Sequence, residues 1–226
     1  MLSDDELMTL YTSKVKLPPA YFKQYELLPQ CPVKAWGHAW HDFDFPRVHT
    51  VLDFRSWVAK HGISPESIAY TCTSDPELEF ITRSKETYLP YPEYDLHTIA
   101  NHHTNAFDFF LFNQTIEHLQ HPFVAVKSIY DTLKPGGYCF TSVPTLNIPH
   151  STPYHYGGYN PMGLAVMFRH AGFDVVEIGQ WGNLEYINAI FSLQGWVGYN
   201  TLNRGGRVTN EENNVCQCWI LAKKPQ

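Results

Sequence analysis

No run of apolar residues in the chain reaches the length of a membrane span, and the opening MLSDDELMTLYTSKV is acidic and lacks an apolar core, so neither insertion nor secretion is expected. Basic clusters are missing as well. Lys plus Arg number 16 against 22 Asp plus Glu, a formal net charge of −6 with no Lys/Arg-rich run, which argues against a general nucleic-acid binder. Cysteine is scarce and odd in number: five, at positions 31, 72, 139, 216 and 218, mostly inside apolar runs. That usage fits a reducing compartment better than a disulfide framework. Cys216 and Cys218 have strand spacing rather than the Cys-x-x-Cys spacing of a redox or zinc site, and they read as core residues on one face of a strand. Internal repeats and low-complexity tracts are absent. These absences leave a soluble, cytoplasmic α/β protein, organised as a helical extension or lid over 1–62 and a main domain over 63–226.

What is present reads most clearly over 106–144. FDFFLF is apolar on both faces, as in a parallel strand covered on both sides by helices. A short helix over 115–120 is then interrupted by Pro122, which suits the first turn of a new helix. Phe123, Val126, Tyr130 and Leu133 recur at helical spacing, Lys134-Pro135-Gly136-Gly137 ends the helix, and 138–143 forms the next strand. The segment is a βαβ unit, with the right-handed crossover such units take.

Elsewhere, Ser3 followed by three acids starts a short helix, a second is possible over 20–28, and 36–45 is an aromatic stretch that reads as packing. A helix is expected over 48–61, a strand over 67–72 and a helix starting at 73–81 on cap-forming residues and Pro76. A short strand at 87–90, a helix over 161–171 closed by Gly172, a strand over 174–178, a helix over 181–193, a polar loop over 200–214 and a last strand over 215–222 follow.

FDFFLFNQTIEHLQHP followed by LKPGGYCFTSVP resembles the second half of a class I S-adenosylmethionine-dependent methyltransferase of the type 11-like group. The resemblance is specific over roughly forty residues and weaker from about residue 67 to the C-terminus. It implies a Rossmann-like fold: a mostly parallel central sheet with an antiparallel last strand at its edge, and helices on both faces. It also implies S-adenosylmethionine as cofactor, with S-adenosylhomocysteine as product. The turn after the first strand would hold the cofactor's amino acid part through Thr73, Ser74 and Asp75; Asp95 and Leu96 sit where the family contacts adenine; Asn113 and Gln114 stand beside the transferable methyl. The chain departs from the family in that first turn, Cys72-Thr73-Ser74-Asp75-Pro76-Glu77, which has none of the glycines that let backbone approach a ligand. Either the loop takes another path or binding is weakened. The segment before Asp95 is also too short for two strands and a helix, and the acid expected on the ribose has no clear counterpart beyond Glu93 and Asp95.

Methyl transfer from a sulfonium needs alignment and, for a hydroxyl acceptor, a base. His150 and His155 in the loop after the βαβ unit are the candidate bases, with backbone hydrogen bonding as the plainer role, and Gln114 can orient the acceptor. Tyr154, Tyr156 and Trp181 fit stacking on an acceptor, although packing is their ordinary use. Glu117-His118 reads as a brace. Twelve histidines invite a metal, yet no zinc spacing occurs, and none is expected. The reading is O-methylation of a small-molecule or glycan hydroxyl, with no nucleic-acid or membrane partner; the alternative is a catalytically silent methyltransferase-like binding domain.

Overall fold

The computed structural model describes residues 1–22, 33–34, 44–202 and 209–226. A six-stranded sheet organises them: β1 (Ser67–Tyr70), β2 (Lys85–Tyr88), β3 (Phe107–Leu111), β4 (Leu133–Pro144), β5 (Asp174–Trp181) and β6 (Gln217–Lys223), in the order β2-β1-β3-β4-β6-β5. Strands β1 to β4 are parallel, and β6 is antiparallel to both its neighbours. The expected mostly parallel sheet is therefore observed, with one correction: β6 lies inside the sheet and β5 forms the edge. The composition of β6 suits that place, because Cys218, Ile220 and Ala222 pack on one face while Trp219 and Leu221 pack on the other.

Helices cover both faces. Leu10 of α1 (Asp4–Leu10), Val126 and Ile129 of α3 (Pro122–Thr132), and Leu164 and Phe168 of α4 (Pro161–Ala171) join one apolar cluster with Phe107, Phe110 and Phe112. Phe54 and Trp57 of α2 (Phe45–Lys60) and Ile190 of α5 (Leu184–Leu193) join the opposite cluster with Phe109, Leu111 and Phe140. The alternation along β3 sends successive side chains to opposite faces, and both are dry. A short helix, α6 (Tyr199–Leu202), falls within the expected polar loop.

Several boundaries differ from the sequence reading for identifiable reasons. Helix α2 starts at Phe45 with Pro46 in its first turn, where a missing N–H costs nothing. The helix expected from residue 73 is only a 3₁₀ turn, Pro76–Phe80, and Asp75 does not cap it because its carboxylate is engaged elsewhere. The helix expected over 115–120 is likewise a single 3₁₀ turn, Ile116–His118; His121 before Pro122 is pushed out of helical geometry, at φ −130° and ψ 69°. Strand β5 continues to Trp181, and Asn183 then caps α5 by accepting from the Glu185 and Tyr186 N–H groups. Gly172 closes α4 at φ +107°, the left-handed conformation expected there. Cys216 and Cys218 are both buried but in opposite clusters, because Cys216 precedes β6 and donates its N–H to the Trp181 carbonyl. Of the helix expected over 20–28 only 20–22 are described, at a 3₁₀ turn Pro19–Tyr21; the rest of it, most of the 36–45 stretch and Cys31 lie outside the described residues.

One ion cluster fastens α2 to the turn after β1. Arg47 donates through both terminal nitrogens to the two carboxylate oxygens of Glu77, one contact at 2.6 Å, and reaches Asp75 Oδ1 at 3.3 Å. Glu77 is fully buried, and Arg47 and Asp75 nearly so. Glu77 takes the bidentate contact, leaving Asp75 the poorer share of a single cation; burial, outweighing the pull of Arg47, pushes the Asp75 carboxyl up to about 7. Replacing the guanidinium leaves two carboxylates without their cation, and Arg47→Met is expected to lower the unfolding free energy by roughly 3–5 kcal/mol in urea titrations. Since the folded chain holds the Asp75 proton more tightly than the unfolded chain, this group's contribution is complete below about pH 4 and is lost as pH rises to about 7. Asp75→Asn should therefore gain stability relative to the parent across that window; a difference that stays flat with pH contradicts this account.

Candidate active site

The chain crosses from one side of β1 to the other between β2 and β3, so the carboxyl ends of β1 and β3 flank a topological switch point, where open α/β sheets form a ligand crevice. A cavity of about 770 Å³ opens there. Its floor is built by strand ends. Thr71 and Cys72 follow β1, Leu89 follows β2, and Asn113, Gln114 and Thr115 follow β3. The Thr71 N–H still pairs with the Leu111 carbonyl at 3.2 Å, while its buried hydroxyl has no partner among the described residues. Asn113 joins three segments: Oδ1 accepts from the Ser142 N–H at 3.0 Å and from its hydroxyl at 3.1 Å, and Nδ2 donates to Asp75 Oδ2 at 3.2 Å. Gln114 stands in the left-handed region at φ +48°, pinned by its N–H on the Ser142 carbonyl at 2.9 Å and by Nε2 on the Ser142 hydroxyl at 3.0 Å. That conformation is costly for a residue with a Cβ, and the residue it holds lines the cavity.

Thr73 and Ser74, placed in the cofactor turn by the sequence reading, are exposed and do not line the cavity, while Asp75 and Glu77 of the same segment pair with Arg47. Asp75 does line the cavity, beside Asn113. The opposite wall carries Asp95 and Leu96, also as expected. Asp95 Oδ1 accepts from the His97 N–H at 2.9 Å and from its ring Nδ1 at 2.6 Å, while His97 Nε2 accepts from the His121 N–H at 3.2 Å. Partial burial raises the Asp95 carboxyl, but the two His97 hydrogen bonds outweigh it and hold the group below its ordinary range.

Tyr154 and Tyr156 line the cavity; Trp181 does not. Trp181 is fully buried against Phe45 and Tyr186 in the face of the sheet covered by α2 and α5, the packing use of a large aromatic at the end of a core strand. His150 and His155 also miss the cavity and stand behind His118, with ring centroids 5.0 and 5.8 Å from it. The loop folds so that the two tyrosines and His118 face inward: His118 Nδ1 donates to the Tyr154 carbonyl at 2.9 Å, and the Tyr156 N–H donates to the Glu117 carbonyl at 2.8 Å. Glu117 thus braces through its backbone. Its carboxylate is fully buried, both oxygens lack partners among the described residues, and burial pushes it up to about 8. Sequence reasoning missed His97, His118 and His121 as lining residues. The Asp-x-His spacing at 95–97, which lets one carboxylate bind both backbone and ring of the same histidine, was the available signal.

The methyltransferase domain family model matches residues 50–178. No curated protein sequence matches the chain. Among solved structures, a putative sarcosine dimethylglycine methyltransferase from Galdieria sulphuraria is similar at 10% identity and TM-score 0.54, over 79% of this chain and 86% of that one. Phosphoethanolamine N-methyltransferase 2 from Haemonchus contortus, in complex with S-adenosyl-L-methionine, is similar at 15% identity and TM-score 0.50, over 84% of this chain and 56% of that one. At such identities the likeness carries the fold alone. The family match, however, runs from α2 into β5 and takes in more than half of the chain, including every strand end that floors the cavity, and the chain belongs to the methyltransferase domain family with the class I S-adenosylmethionine-dependent fold.

Proposed function

We propose that the chain transfers the methyl group of S-adenosylmethionine to a hydroxyl of a small molecule or glycan. The observation that carries this reading is a single cavity at the switch point whose one side is polar strand ends and whose other side is tyrosine and imidazole. The residues fit the cofactor. The unpartnered Thr71 hydroxyl, Asp75 and Asn113 offer polar contacts to an amino acid moiety, and Leu96 with Asp95 offers an apolar edge and an acceptor to a nucleoside. When bound, the sulfonium supplies an activated methyl group, and the remaining work is positioning. The openness of the crevice despite the glycine-free turn weighs against a silent binding domain.

On the acceptor side, Tyr154 and Tyr156 present flat faces to a sugar or aromatic ring. Gln114, with its amide nitrogen held by Ser142, offers its amide oxygen to orient the acceptor hydroxyl. His150 and His155, the bases suggested by sequence, stand behind this wall, so the proton acceptor in this reading is His121, which lines the cavity and is also exposed, allowing the proton to pass on to water.

Calorimetric titration is expected to give saturable binding of S-adenosylmethionine and S-adenosylhomocysteine, and no heat at millimolar ligand would sink the enzyme reading. With an acceptor found by mass spectrometry from a panel of hydroxyl and amine compounds, His121→Ala should lower kcat on the order of 10²-fold or more while leaving cofactor affinity close to the parent's. Methylation confined to amines would overturn the hydroxyl assignment.

A further inference from the structure

Behind the tyrosine wall is a group of side chains that methyl transfer does not use. One potential ligand atom from each of Glu117, His118 and His150 lies within 4.8 Å of the others. The cluster is assembled by topology: Glu117 and His118 sit in the turn after β3, His150 in the loop after β4. Glu117 is fully buried, and neither of its carboxylate oxygens has a hydrogen-bond partner among the described residues. Buried carboxylates are ordinarily paired, hydrogen-bonded or on a metal, so this one calls for a cation.

Both imidazoles are anchored in one neutral tautomer. His118 Nδ1 is 2.9 Å from the Tyr154 carbonyl and His150 Nδ1 is 3.1 Å from the Ile148 carbonyl. A carbonyl oxygen can only accept, so each Nδ1 carries the proton and each Nε2 the lone pair. His118 Nε2 stands 3.8 Å from Glu117 Oε1. His155 Nδ1 accepts from the His150 backbone N–H at 3.4 Å and lies 3.1 Å from His150 Nδ1, fixing that ring from behind. An imidazole anchored by its second nitrogen on a backbone carbonyl is the usual support of a metal-bound histidine.

We propose that Glu117, His118 and His150 form a binding site for a divalent transition-metal ion of the Zn²⁺ type, which clamps the loop after β4 to the turn after β3. Two imidazole nitrogens and one carboxylate suit zinc and its first-row neighbours, whereas Mg²⁺ and Ca²⁺ call for oxygen ligands. Bonds of about 2.0–2.1 Å require the three ligand atoms to draw together by roughly an ångström, a movement within reach of two loop segments. Three protein ligands leave a coordination position, and His118 borders the cavity, so the ion would sit at the back of the acceptor wall. With His118 Nε2 on the ion, His121 remains the imidazole open to the acceptor, although the site itself does not depend on the methyl-transfer reading.

The test uses the full chain, stripped with a chelator and titrated with Zn²⁺ by calorimetry and with Co²⁺ by visible absorption. One equivalent of Zn²⁺ should bind, Co²⁺ should give the intense bands of a four-coordinate ion, and Zn²⁺ should raise the Tm. Glu117→Gln and His150→Ala, each shown by circular dichroism to fold, should weaken Zn²⁺ at least about 100-fold and abolish the Tm shift. Absence of binding by the parent, or affinity unchanged in both variants, overturns the proposal, the latter marking adventitious capture by other histidines. Titration of the same samples with S-adenosylmethionine reads the cofactor site separately, so failure of one assignment is not mistaken for failure of the other.

Discussion

The contact between Arg47 and the carboxylates of Glu77 and Asp75 governs the geometry of the carboxyl edge of the sheet. From it a line of polar contacts runs through Asn113 to Ser142 and on to Gln114, crossing the ends of β1, β3 and β4. In the family pattern the first turn relies on glycine, whose freedom lets backbone lie against a ligand. Here side-chain bracing takes over that task. Asp75 and Glu77 of the turn pair with Arg47, while Cys72 and Asp75 still line the crevice.

The same edge separates two chemistries. Asn113 and Gln114 on the floor are held in place by hydrogen bonds to Ser142 of the neighbouring strand, which suits a ligand that must sit in one pose. The far wall belongs to loops, where Tyr154 and Tyr156 are exposed and can change orientation with the molecule they meet.

The parts legible in the sequence are those written in local pattern. The βαβ unit over 106–144 announced itself because both β3 and α3 bury apolar faces at their own periods, and the turn chemistry between them agrees. Asn113 and Gln114 could be placed near the crevice because a strand end fixes where they emerge, and Asp75, Asp95 and Leu96 through the family resemblance. Features set by distant partners were not legible. Asp75 and Pro76 look like a helix start, but Arg47, distant in sequence, claims the cap. Trp181 reads as the start of a helix and a stacking residue, but β5 extends to include it and buries it. His118 and His150 are only two among several histidines that the sequence lets converge, until β3 and β4 laid side by side bring their rings together.

The position of β6 also bears on how the chain must be made. Strand β5 has β6 as its sheet neighbour, and β6 fills the gap beside β4, yet both older strands leave the ribosome first. Until β6 emerges, β4 and β5 expose unpaired edges and apolar faces, a template for the wrong partner. The sheet is closed from its middle by its last strand in sequence, so β4 and β5 share no edge without β6.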